Sequence, residues 1–371
     1  MSGGTRRLFR GETTINFYGR RNVGFIASGL LVLITIISLF AQGLNLGIDF
    51  KGGVAFEVPV QGSISIDVVE DVLKSEGVFD DGIKLQTLKS ETESRIRIQL
   101  GDQTPEKVTA IQTALAEKAK LTVNDVSVST VSSTWGRNIT MKAVNALLVF
   151  FLVVSIFISF RFEWRMAISA IVAMAHDVAI SVGLYSVLGL EVTPATVVAF
   201  LTILGFSLYD TIVVFDKVHE NTSRFSGSKV SYGDVVNVSM NQVLMRSLNT
   251  SLAAVLPVLS LLVLGSGVFG AVALREFALA LLVGLATGAY SSIYIATPLL
   301  GLLKERSAQY VSGRGQLSLG ADMEHLMSTG APVSRRASAS ASAAASTGTA
   351  VRPPVDAILS HPPRPRKKSR R

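Results

Sequence analysis

Six stretches of this chain are apolar for long enough to cross a lipid bilayer as helix, and they constrain the fold more than any other feature. They are residues 23–43, 143–160, 166–188, 194–215, 247–264 and 277–303, against a requirement of roughly 20 residues for the hydrocarbon core. Hydrophobic residues make up 49% of the 371 and charged residues 17%, which is more apolar sequence than a soluble core needs. The first stretch is too long for a removable signal peptide and too far from any small-residue cleavage site, so it reads as a retained anchor. The expected fold class is an α-helical polytopic membrane protein with six transmembrane helices.

Basic residues crowd one side of these spans. Arg6, Arg7, Arg10, Arg20 and Arg21 precede the first, Arg161 and Arg165 lie between the second and third, and Lys304 and Arg306 follow the sixth. The positive-inside rule places all of them in the cytoplasm. The chain then divides into a cytoplasmic segment 1–22, a first span 23–43, an exported region 44–142, a five-span bundle 143–303 and a cytoplasmic tail 304–371. The net charge of +8 is concentrated in the tail, so it does not mark the whole protein as a sequence-specific nucleic-acid binder. With no cysteine, the exported region has to fold without disulfides.

The exported region alternates in a readable order. Strand at 53–60, helix at 65–77, strands at 83–89 and 95–100, helix at 105–118 and strand at 126–131 make β-α-β-β-α-β, the order of a small ferredoxin-like sandwich. Thr104 and Pro105 supply the N-cap and first position of the second helix. The region carries no metal-ligand cluster, no catalytic pair and no Gly-rich phosphate loop, and reads as a binding or positioning module. From residue 307 periodicity is lost, and 364–371 is a basic block. The tail is expected to be disordered; its end is a solvated charge run or touches anionic lipid or ribosomal RNA.

Charges inside the spans are the candidates for function, because a carboxylate at membrane depth costs ~3 kcal/mol on insertion scales. Asp210 is the only charge in the apolar run before Asp216, with Ser207 and Thr211 beside it as hydrogen-bond donors. Arg246, just before the fifth span, is the candidate cation on the adjoining helix; a pair that can break and re-form suits a proton path, and a permanent salt bridge is the structural alternative. Asp177 lies near the middle of the third span beside His176, and the two are expected on different helix faces. Asp177 reads equally as a proton site or as an acceptor for neighbouring hydroxyls, and His176 as a packing residue. Gly284 and Gly288, with Ser291 and Ser292 one turn on, form a small-residue pattern for close helix packing.

Five motifs then combine: GIDFKGG at 47–53, AHDV at 175–178, GFSLYDTIVVFDKVHEN at 205–221, RSLNTS at 246–251 and GAYSSIYIATP at 288–298. Together they resemble the SecD/SecF family of bacterial protein-export membrane proteins, in its smaller SecF-type members, within the resistance-nodulation-division superfamily. The resemblance covers about residues 20–305. It implies an accessory of the Sec translocase that couples proton flow to late steps of polypeptide export across the cytoplasmic membrane. It further implies a relay at Asp210 and Arg246, to which Asp177 is added, and a hinge at Gly47, Asp49, Gly52 and Gly53, where glycines suit a flexing connection. The implied partners are SecD, the SecYEG translocon, YajC, the unfolded exported polypeptide and membrane lipid. Phe206, His219 and Ser247 stand where the family more often has Tyr, Arg and Thr. No second YDT-type segment occurs, so the other half of a two-half transporter is expected from a second polypeptide or from a second copy of this one. A proton-driven exporter of lipid or small molecules and a non-conducting structural subunit are the alternatives. No enzyme motif, cofactor or metal is expected.

Overall fold

The structure is a computed structural model and describes residues 13–60, 64–80, 82–89, 94–226, 230–268, 272–307, 310 and 316–332. Among them six helices are long and apolar enough to cross a membrane. In chain order α1 is Arg21–Ala41, β1 Asn45–Leu46, α2 Ile48–Lys51, β2 Gly53–Pro59, α3 Ile66–Ser75, β3 Lys84–Lys89, β4 Ser94–Leu100, α4 Pro105–Ala119 and β5 Ser127–Val131. The bundle follows as α5 Ser133–Arg161, α6 Trp164–Leu188, β6 Glu191–Val192, α7 Pro194–Arg224 and α8 Tyr232–Ser260, which runs on in π turns Leu261–Val268. The last span is α9 Val272–Ser291, a π turn Ser292–Ala296 and α10 Thr297–Glu305; α11 is Ala321–Thr329.

The sheet domain has the expected order. Its strands lie β3-β4-β2-β5, all antiparallel, which is the split β-α-β arrangement of the ferredoxin-like sandwich. Alternation decides which face is covered. Val54, Phe56 and Val58 of β2 and Ile96, Ile98 and Leu100 of β4 pack under Val69, Val72 and Leu73 of α3 and Ile111 and Leu115 of α4. Caps fix both helices: Ser65 accepts from the Val68 amide at 3.4 Å, and Thr104 from the Lys107 amide at 3.5 Å.

The other face of the sheet, with Glu57, Arg97 and Gln99, turns toward the bundle. Gln99 donates to Glu191 Oε1 at 2.8 Å, and Arg97 lies 3.5 Å from Oε2 of the same carboxylate. β1 pairs in parallel with β6, Asn45 opposite Glu191 and Leu46 opposite Val192. The connection at 47–53, expected as a hinge, forms a closely packed corner in this structure. A Cβ at Gly47 would stand 2.5 Å from Glu191 Oε1, one at Gly52 (φ +81) 2.5 Å from the Ser133 Cα, and one at Gly53 (φ +123) 2.2 Å from the Leu100 carbonyl oxygen. Asp49 sits in the first turn of α2. Here glycine is required for close approach and for positive φ.

Three boundaries differ most from the hydropathy reading: α7 runs on to Arg224, well past 215, and two helices begin early. α5 begins at Ser133, capped by its neighbour Ser132, well before the apolar stretch at 143. α8 begins at Tyr232, and its first three turns are buried although they hold Asp234, Asn237, Ser239 and Asn241. They are buried by protein. Asn241 accepts from the Ile15 amide at 2.9 Å and donates to its carbonyl, and Asn237 accepts from the Tyr18 amide at 2.8 Å.

The tail is ordered in part, against the expectation of disorder from 304. The Ser318 amide donates to Asp234 at 2.6 Å, and α11 buries Met323 and Leu326 completely in the bundle core. Spacing of three places both side chains on one helix face, a signal too short to raise local periodicity. The basic block at 364–371 lies outside the described residues.

The corner yields the first prediction. Gly53→Ala adds a steric clash to a backbone strain of about 1–3 kcal/mol, whereas Gly43→Ala (φ +67) meets nothing within 4 Å and carries a left-handed cost of about 1–2 kcal/mol alone. Thermal unfolding of the purified protein should show a clearly larger drop for Gly53→Ala. Equal drops would mean that the corner is loose.

Candidate functional site

Two buried carboxylates stand on adjacent helices at the centre of the bundle, Asp177 on α6 and Asp210 on α7, with 0% and 7% exposure. Such groups have to be satisfied from neighbouring helices, since lipid supplies no donors. Asp177 Oδ2 accepts from Ser207 on α7 at 2.5 Å and from Ser291 on α9 at 2.8 Å. Asp210 Oδ1 accepts from Ser247 on α8 at 2.5 Å, and its Oδ2 accepts from Ser292. Four helices thus converge on two acids. Ser291 and Ser292 are sequence neighbours, yet each serves a different one.

The backbone makes this reach feasible. A π turn begins at Ser292, and the Thr297 hydroxyl caps the Ser292 carbonyl at 2.7 Å; π turns widen a helix locally and cluster at working sites. Gly284 and Gly288 face α7. A Cβ at Gly284 would fall 2.1 Å from Ile203 Cδ1, and one at Gly288 3.0 Å from Ser207 Cβ. The two glycines let α9 approach closely enough for its serines to touch both carboxylates. A cleft of about 30 Å³, lined by Phe206, Tyr209, Asp210, Thr250 and Ser251 among others, leaves room beside Asp210 for a water molecule.

The other candidate residues are placed as follows. Arg246 is exposed and makes no ion pair among the described residues. Successive helical residues diverge by about 100°, and Ser247, the next residue, takes the place expected for the guanidinium. His176 comes within 3.3 Å of Asp177 through Nδ1, so the two share an environment despite that divergence, and His176 Nε2 is buried without a hydrogen-bond partner. Ser207 serves Asp177 and not Asp210. Thr211 is buried but donates no hydrogen bond to Asp210. Gly47, Asp49, Gly52 and Gly53 lie at the distant corner described above.

Sequence reading treated Ser291 and Ser292 as packing residues and Ser247 as a mere departure from pattern. The available signal was adjacency: two hydroxyls in succession, one turn beyond two glycines, opposite a pair of membrane acids. The region holds no group of three or more His, Cys, Asp or Glu suited to a metal ion among the described residues.

Comparison with known proteins gives a consistent result. The family model described as "Protein export membrane protein SecD/SecF, C-terminal" matches residues 110–306, and the SecD/SecF GG motif matches 37–64. The chain is 42% identical over 308 residues to protein translocase subunit SecF of Mycobacterium tuberculosis, covering 81% of this chain and 70% of that one. It is 40% identical to the SecF subunit of Streptomyces coelicolor, with 82% and 80% covered. Among solved structures it matches SecDF of Thermus thermophilus, described as a translocon-associated membrane protein, at 34% identity and a TM-score of 0.71, over 80% of this chain and 39% of that one.

The hydroxyl cluster yields the second prediction. Ser292→Ala and Ser247→Ala each strip one donor from a buried carboxylate, which costs about 1–3 kcal/mol. In a double-mutant cycle with Asp210→Asn, each serine should couple to the acid by at least about 0.5 kcal/mol in thermal stability. Strict additivity would contradict the hydrogen bonds.

Proposed function

The chain belongs to the SecD/SecF family of protein-export membrane proteins, and from that premise we propose that it binds and releases protons at Asp177 and Asp210 to drive late steps of polypeptide export. The observation that carries this reading is the pair of buried carboxylates on adjacent helices, each held by two serine hydroxyls from neighbouring helices. A hydroxyl can donate one hydrogen while accepting another, so the serines held on each acid can hand a proton on and reset as the helices shift. A fixed salt bridge would hold the charge in place; among the described residues neither carboxylate pairs with a lysine or arginine.

Arg246 is assigned the second state of the relay. It is one residue from Ser247, so a turn of α8 by roughly 100° would exchange hydroxyl for guanidinium at Asp210. The cation would then favour the ionised carboxylate and expel its proton. Ser207, Ser291 and Ser292 position the acids, and His176 steadies Asp177. The work is mechanical: proton binding moves helices, and helices move the sheet domain against the emerging polypeptide.

SecD is the natural partner, because the aligned Thermus SecDF chain accommodates this one in 39% of its length and leaves the rest for a second half. SecYEG and YajC complete the assembly in this reading. The protein lies in the bacterial cytoplasmic membrane with both termini cytoplasmic, supported by the basic flanks at Arg20, Arg21, Arg161, Arg165 and Lys304. A small-molecule or lipid exporter is less favoured, since the family relatives matched here are translocase subunits.

Topology is testable by reporter fusions. A reporter active only outside the cytoplasm should work after Gly101 and stay silent after Lys304; the reverse would invert the relay.

The relay is tested by Asp210→Asn, which keeps shape and removes the titratable proton. Assembly with SecD should survive, whereas the protonophore-sensitive part of export into energised inverted vesicles should fall to near the level of a deletion. Asp177→Asn should be milder. Retention of that increment by Asp210→Asn would make this chain a scaffold for a proton path in its partner.

A further inference from the structure

Beneath the sheet domain, where the helices of the bundle end, two cavities of opposite character share a wall. The first has a volume of about 240 Å³ and is walled by Leu44, Leu46, Phe50, Val144, Val182 and Phe200 among others. Its two hydroxyls are already engaged, Thr140 with the Gly136 carbonyl at 2.9 Å and Tyr185 with the Glu276 carbonyl at 2.8 Å. No free polar group would hold water there, and apolar cavities of this kind stay dry and take apolar ligands. Val144 is 52% exposed, and it belongs to the apolar stretch of α5, so the cavity opens at bilayer depth.

The second cavity, about 520 Å³, adjoins the first at Leu44 and is lined by Asn45, Lys51, Lys84 and Gln86 on the sheet-domain side. Lys51 and Lys84 also line a third cleft beside Leu46, which Asp102 lines as well. Neither lysine forms an ion pair among the described residues. Lys84 donates to Asn45 Oδ1. Partial burial and the neighbouring Lys51 push the Lys84 ammonium below the usual lysine range, opposed by the charge of Glu191, a carboxylate already engaged by Arg97 and Gln99. Two cations therefore line one groove, and neither is ion-paired among the described residues.

We propose that this pair of cavities binds one anionic phospholipid of the leaflet on the sheet-domain side, an acyl chain in the apolar cavity and the phosphate between Lys51 and Lys84. Charge complementarity selects the headgroup, and the dry cavity beside it selects a lipid over free phosphate. The bound lipid would wedge the corner at 47–53 against α5, α6 and α7. An extended segment of exported polypeptide is the competing occupant, and it accounts less well for the two unpaired cations.

The test uses the intact protein, purified in mild detergent and exposed to phosphatidylglycerol or phosphatidylcholine, with bound lipid counted by native mass spectrometry. The unmodified protein should retain one phosphatidylglycerol in preference to phosphatidylcholine and gain thermal stability from it. Lys51→Gln with Lys84→Gln should lower that retention about tenfold while unfolding at the same temperature as the unmodified protein in lipid-free detergent. Ala143→Leu, which fills the apolar cavity, should lower retention with both lysines intact. Equal retention of the two lipids by the unmodified protein, or unchanged phosphatidylglycerol retention in the lysine variant, overturns the proposal. So does a photo-crosslinker at Val144 that captures an exported polypeptide and not lipid during export.

Discussion

The bundle is organised around the burial of two carboxylates at a depth where lipid cannot solvate them. Asp177 and Asp210 draw four hydroxyls from three helices. To deliver two of these from α9, the helix must lie almost in backbone contact with α7, which Gly284 and Gly288 permit, and must widen at Ser292 into a π turn. Adjacent residues of a regular helix diverge too far to serve two acids on one side with equal ease. The small residues, the irregular turn and the serines are thus one solution to a single electrostatic problem.

Legibility in the sequence tracked the environment of each segment. The sheet domain was readable almost strand by strand because its period-two alternation reports one buried and one open face, and the six spans were readable because lipid demands apolar length. The first turns of α8 were not, since hydropathy assumes that a buried segment is apolar. Asn237 and Asn241 are buried by the chain segment around Ile15 and Tyr18, whose backbone groups they satisfy. Polar composition and full burial coexist there because both partners belong to the protein.

The burial of the two acids was legible in the sequence, and their donors were not. A charge in an apolar run announces itself, whereas the identity of its partner depends on helix rotation, which one sequence does not display. One residue of phase separates Arg246 from Ser247, and it decides whether Asp210 meets a cation or a hydroxyl. The same uncertainty in reverse affected His176, whose ring bends back to Asp177 across a single peptide. Glycines at 47–53 are ambiguous in another way: a residue without a Cβ serves a tight fit as well as a flexing one, and at Gly53 a Cβ would meet the Leu100 carbonyl oxygen.

The short parallel pairing of β1 with β6 carries a mechanical meaning. β6 is the crosspiece between α6 and α7, and these are the two helices that bear Asp177 and Asp210. The carboxylates lie roughly 15–25 Å from it along the helices, at 1.5 Å per residue. Two struts joined at one end by a strand act as a crank: a change in their relative slide or tilt at the acids is read out at the crosspiece. The sheet domain is geared to that crosspiece through the backbone of Leu46 and Gly47 and through the Glu191 carboxylate. Under the proposed relay, displacement at the buried hydroxyls would reach the sheet domain through this crosspiece.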